Sequence, residues 1–201
     1  MRLTAPELAE RALAARAQYA DCVLCGHRCE VDRTHGPAGF CQEGDGVFVA
    51  GAGVHFGEEQ ALVGPGWNGR ARPPGVRAGS GLVLMGGCNL ACRSCETAEF
   101  SLERKGVVAA SPEQLAGVFL ELQEKGARNL NLVTPTHVLP ALLEALARAA
   151  SRGFALPVVW NCGGYETREA VELLDGVVDV YLPDAKVGDD AQGEKLLGCR
   201  G

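Results

Sequence analysis

Seven of the nine cysteines fall into two tight groups, Cys22, Cys25, Cys29 and Cys41, and Cys88, Cys92 and Cys95. Cys162 and Cys199 stand apart. The N-terminus lacks the apolar stretch of a secretory signal, so closely spaced thiols read as metal or cluster ligands rather than disulfides. The second group has C-x3-C-x2-C spacing within Gly87-Cys88-Asn89-Leu90-Ala91-Cys92-Arg93-Ser94-Cys95. An iron–sulfur cluster takes thiolate ligands, and three local ones leave a position open for a substrate or cofactor. Zinc with a distant fourth ligand is the other chemistry these thiols support.

The first group places four thiols in a Gly-rich, loop-like stretch. They suit a closed zinc site or a second iron–sulfur cluster, with His27 and His35 as substitutes for one thiol. A metal here supplies folding energy to a segment with few apolar residues of its own. Zinc would make the site structural, whereas a cluster would be able to relay electrons to the second group.

Three stretches must position these groups. Residues 1–20 form a helix candidate, with Leu8, Ala12, Ala15 and Tyr19 at helical spacing. Residues 21–80 are a Cys- and Gly-rich metal-binding segment with a strand-like run at 47–50 continuing toward Val54. Within it, residues 64–75 read as an irregular loop. From residue 81 strands and helices alternate, the pattern of an α/β fold with a parallel sheet. Strands are expected at 81–85, 129–133, 157–160 and 177–182. Helices are expected at 112–125 (Ser111 as N-cap, Gln114 at the capping-box position), 138–152 and 167–174, with a last piece from Asp189. Four clear strands are too few for a complete barrel, so residues 81–201 read as a partial parallel β/α barrel.

Strand ends in such a fold converge over the first loop, here that of Cys88, Cys92 and Cys95. Thr134, Thr136 and His137 follow the second strand and suit either hydrogen bonding to a ligand or a helix N-cap. Asn161 follows the third, with glycines that admit a ligand close to the backbone and with Cys162, which reads as a buried small residue. Asp184 and Lys186 follow the fourth, as ligand contacts or as a solvated ion pair. His55, Glu58 and Glu59 carry no assigned role.

The string Gly-Cys-Asn-Leu-x-Cys-x-x-Cys after a hydrophobic strand resembles the signature of the radical S-adenosylmethionine (SAM) enzymes. Four further motifs follow in order: His55-Phe56-Gly57-Glu58-Glu59; Asn131-Leu132-Val133-Thr134-Pro135-Thr136-His137; Asn161-x-x-Gly164-Tyr165-Glu166; and Tyr181-Leu182-Pro183-Asp184-x-Lys186. Together they resemble the uncharacterised relatives of the pyruvate formate-lyase activating enzyme, from Cys22 to about Gly198. The resemblance implies a [4Fe–4S] cluster on Cys88, Cys92 and Cys95 whose open iron chelates SAM. One electron then cleaves SAM to methionine and a 5′-deoxyadenosyl radical, which abstracts hydrogen from a substrate. It further implies a glycyl radical enzyme as protein substrate and a flavodoxin- or ferredoxin-type reductant. Ser94 departs from the pattern, standing where the signature carries an aromatic residue. Thr134–His137 stand where activating enzymes carry Gly-Gly-Glu. The resembled proteins continue with further βα units, so the chain reads as truncated or altered at its C-terminus.

Composition narrows the rivals. The 201 residues are 47% hydrophobic and 22% charged, with a net charge of −6. Acidic balance counts against a zinc-ribbon module acting on nucleic acid through residues 21–45, because phosphate contact needs clustered basic charge. No stretch approaches the roughly 18 apolar residues of a membrane span, and the cytoplasm is the expected compartment. A non-catalytic iron–sulfur-binding fragment is the remaining alternative.

Overall fold

The computed structural model describes residues 2–64 and 76–199. Apart from Gly64, the expected irregular loop lies outside the described residues. The apolar spacing near the N-terminus becomes helix α1 (Ala5–Ala17), opened by Thr4 and Glu7. The Glu7 carboxylate accepts from the Thr4 N–H at 2.7 Å and from its hydroxyl at 2.6 Å. Leu8 and Ala15 are fully buried, and Tyr19 just beyond the helix is as well.

Among the described residues six strands form one sheet: β1 (Val47–His55), β2 (Ser80–Met85), β3 (Val108–Ala110), β4 (Leu130–Val133), β5 (Val158–Cys162) and β6 (Val180–Pro183). Their order is β3-β1-β2-β4-β5-β6. The pairs β2–β4, β4–β5 and β5–β6 are parallel, and β1 runs antiparallel to both β2 and β3. Parallel neighbours need a crossover, usually helical. Here α4 (Pro112–Glu124) precedes β4, α5 (Leu139–Ala150) joins β4 to β5, and α6 (Arg168–Leu174) joins β5 to β6. The short α2 (Gln60–Val63) and α3 (Ala98–Ser101) precede and follow β2, and α7 (Asp190–Leu197) follows β6.

Ser111 caps α4 as its sequence predicts. The Gln114 N–H donates to Ser111 Oγ at 3.2 Å, and the Ser111 N–H donates to Gln114 Oε1 at 2.8 Å. The core is continuous from α1 through α4 and α5 to the central strands, with Phe119, Leu142, Leu146 and Trp160 fully buried. Burial of such side chains contributes roughly 1.5–3 kcal/mol each before conformational entropy is set against it.

Among the described residues, the structure adds β3 to the four expected strands and the strand-like run at 47–50. The run at 47–50 is the start of the full strand β1, which pairs with β2 and so joins the Cys-rich segment to the parallel sheet. Strand β3 has three residues, two of them exposed, and shows no apolar alternation that its sequence could betray. The fourth expected strand starts later than predicted. The N–H groups of Val177 and Val178 both reach the Leu174 carbonyl, at 3.0 and 3.1 Å, so these apolar residues close the turn after α6. No helix among the described residues is long and apolar enough to cross a membrane.

Candidate metal centres

The loop carrying Cys88, Cys92 and Cys95 begins where β2 ends. Gly87 there adopts φ +81°, and a side chain at that position would run into the Glu43 carboxyl and the His137 ring. The end of α7 holds the loop from outside, since the Ala91 N–H donates to the Leu197 carbonyl at 2.8 Å and the Arg93 N–H to Leu196 at 2.9 Å. Cys88 Sγ accepts from the Leu90 N–H at 3.3 Å, and Cys95 Sγ lies 3.3 Å from Ser101 Oγ and 3.5 Å from Thr97 Oγ1. Burial pushes the Cys88 thiol up to about 11 and also raises Cys92. Burial acts on Cys95 too, but hydrogen bonds from Ser101 and Thr97 outweigh it and hold this thiol below its ordinary value.

These three thiols border a cleft of about 670 Å³. Thr134, Asn161, Asp184 and Lys186 line the same cleft, so residues from the ends of β4, β5 and β6 meet the loop as their positions predict. Lys186 Nζ lies 2.5 Å from Asp184 Oδ2, and its positive charge acts to lower all three thiols of the loop. Thr134 sits at φ +57°, a sparsely populated conformation for a residue with a side chain, and its N–H donates to the Asn161 carbonyl at 2.8 Å. Cys162 is buried beside them and its thiol is pushed up to about 12, chiefly by burial.

Two expected ligand contacts are not in this cleft. After Thr134 the chain tightens into a 3₁₀ turn, Thr136–Val138, that carries both side chains inward. Thr136 is fully buried and donates to Glu166 Oε1. His137 is 2% exposed, with Nε2 at 2.9 Å from the Gly86 carbonyl. Neither threonine caps the turn, whose N-cap is Pro135. His55 and Glu58 also lie elsewhere, paired with each other at 3.0 Å, while Glu58 accepts from Asn131 Nδ2 at 3.1 Å.

The four thiols of the first group border a second, enclosed hollow of about 10 Å³, room for about one water. Burial pushes Cys25 up to about 12 and raises Cys41, against which Arg33 acts. Among the described residues no three His, Cys, Asp or Glu side chains converge on one ion position. The histidines expected to substitute do not border this hollow. His27 stacks on Phe40, with ring centroids 3.7 Å apart, and its Nε2 lies 3.0 Å from the Asn89 carbonyl. His35 is 86% exposed beside Asp32. The imidazole that does border it is His137, far from all four cysteines in the chain.

Arg33 ties the hollow to the rest of the protein. It is 1% exposed, its Nε donates to the Glu43 carbonyl at 2.9 Å, and Nη2 donates to Gly44 and His137 carbonyls at 2.7 and 2.8 Å. Its guanidinium also lies 4.7 Å from the centre of the Tyr19 ring.

The chain is 30% identical over 190 residues to an uncharacterized protein of Methanocaldococcus jannaschii. The match covers 90% of this chain and 50% of the relative, so the chain spans about half that protein's length. No family model matches the chain, and no solved structure matches it.

Cys199, which its sequence position left isolated, packs with Leu90 and Leu197 in a small apolar cluster against Cys88 and Cys92. A fourth thiol thus stands next to the three-thiol loop. Only the fold brings it there, because α7 doubles back over the loop.

Proposed function

We propose that Cys88, Cys92 and Cys95 carry a [4Fe–4S] cluster with one open iron, and that the cleft beside them receives SAM. The observation that supports this most is the shared cleft: three thiols, a lysine, a carboxylate and two polar side chains at the ends of parallel strands. Its volume falls within the roughly 300–1,000 Å³ of small-molecule sites. The run β2-β4-β5-β6 is the arrangement that a radical SAM partial barrel would use.

The bound cluster and SAM together supply a 5′-deoxyadenosyl radical for hydrogen abstraction, an oxidoreductase chemistry. Lys186 is placed to bind the SAM carboxylate, and Asp184 to bind its ammonium or a ribose hydroxyl. Thr134 and Asn161 offer a hydroxyl and an amide to the same ligand. Leu90, Val187 and Leu197 give the cleft an apolar wall. A glycyl radical enzyme as substrate and a flavodoxin- or ferredoxin-type reductant belong to the same proposal.

The test is anaerobic loading with iron and sulfide, reduction, addition of SAM and measurement of 5′-deoxyadenosine. Product that disappears in Cys88→Ala supports the reading, and loaded protein that makes none refutes it. Lys186→Ala removes a charge-assisted contact worth about 1.5–3 kcal/mol, so SAM should bind roughly 10- to 100-fold more weakly while iron content stays the same. Equal SAM affinity in the variant would take Lys186 out of the site.

A second reading, a non-catalytic iron–sulfur protein, is favoured by the position of Cys199. Cys199 belongs to the apolar cluster against which Cys88 and Cys92 pack, and under this reading it would supply the fourth ligand. Under that reading Cys199→Ser creates SAM cleavage that the parent chain lacks, and under the first it leaves cleavage unchanged.

A further inference from the structure

The His137 ring has one nitrogen accounted for and one not. A carbonyl oxygen only accepts, so the Nε2 facing Gly86 carries the proton of the neutral ring. Nδ1 is then a bare lone pair. It is buried and has no hydrogen-bond partner among the described residues, an arrangement that costs about 1–3 kcal/mol unless something fills it. His137 also borders the hollow shared by Cys22, Cys25, Cys29 and Cys41. Metal-bound imidazoles characteristically give their other N–H to a backbone carbonyl, which fixes the tautomer and aims the lone pair at the metal. His137 already has this arrangement with Gly86.

We propose that His137 Nδ1 is a ligand in a mixed imidazole–thiolate metal centre whose remaining ligands come from the four N-terminal cysteines. The proposal rests on the metal-binding reading of those cysteines and is independent of SAM chemistry. The donors border the hollow without meeting at one point. Loading therefore draws them inward around a single ion, or pushes them apart around a cluster. A zinc ion and an iron–sulfur cluster share this donor chemistry.

X-ray absorption distinguishes the two and tests the ligand directly. The full chain carrying Cys88→Ser, Cys92→Ser and Cys95→Ser leaves one centre to observe. It is loaded anaerobically with zinc in one sample and with ferrous iron and sulfide in another, and each is washed with chelator. The expected spectrum contains a nitrogen at about 2.0–2.1 Å with the outer-shell scattering of an imidazole. It should appear in whichever sample retains metal and be lost in His137→Ala. Retained metal with a shell of sulfur alone overturns the role of His137 and spares the cysteines. Absence of retained metal from both samples overturns both. A variant carrying His27→Ala, His35→Ala and His55→Ala keeps His137 as its one imidazole, so a nitrogen shell in that protein assigns it even where His137→Ala fails to fold, and a shell of sulfur alone there overturns it.

Discussion

Cys92→Ala is expected to reduce 5′-deoxyadenosine formation to background without unfolding the chain. The side chain is only partly buried, and the backbone on either side is pinned independently, by the Ala91–Leu197 and Arg93–Leu196 bonds. Losing one such sulfur should change stability by less than about 1 kcal/mol, within the range of substitutions outside a packed core. Losing one of three local ligands should strip the loop of its cluster, because two thiolates do not hold it. Visible absorbance from the loop and product should vanish together, while the unfolding midpoint of the metal-free chain stays put. Unchanged iron and absorbance in the variant would falsify the assignment of Cys92. The four N-terminal thiols are untouched, so metal held there should survive.

Arg33→Met should be the most destabilising single change in the Cys-rich segment, by about 3 kcal/mol or more for its three lost carbonyl contacts. Its guanidinium answers the carbonyls of Glu43 and Gly44 on one stretch of chain and of His137 on another. Methionine fills similar space and answers none of them. Each carbonyl left buried without a donor costs on the order of 1–3 kcal/mol, against a total stability of about 5–15 kcal/mol. Arg33→Lys should recover little, since one ammonium cannot reproduce the planar fork. Urea unfolding of the metal-free proteins measures the difference. A loss below about 1 kcal/mol in Arg33→Met would mean that water takes over these carbonyls.

Helix α4 shows what was legible before folding. Its serine cap, its proline and its apolar spacing are all local, and the backbone follows them. The parallel strands were legible for a similar reason, as apolar runs between helices. The cleft was partly legible too, because in a parallel sheet the residues after each strand converge whatever their identity. That rule correctly gathered Thr134, Asn161, Asp184 and Lys186. It failed two residues further on, where the left-handed Thr134 and the tight turn after it redirect Thr136 and His137 into the interior. The signal that could have warned of this is the unbroken apolar start of α5, which demands that the preceding turn also face inward. The pairing of His137 with four distant cysteines, and of Cys199 with the three-thiol loop, had no local trace. Both depend on contacts between elements far apart in the chain.

The Gly86–His137 hydrogen bond lies between the two cysteine regions, one residue of spacer away from Cys88. His27 makes a second bridge by meeting the Asn89 carbonyl at 3.0 Å. Binding at one region that shifts either bridge must alter affinity at the other, and linkage makes that factor identical in both directions. If metal loaded on the N-terminal cysteines is coupled in this way, its resistance to a chelator becomes a gauge of whether the cleft is occupied, readable with no turnover at all.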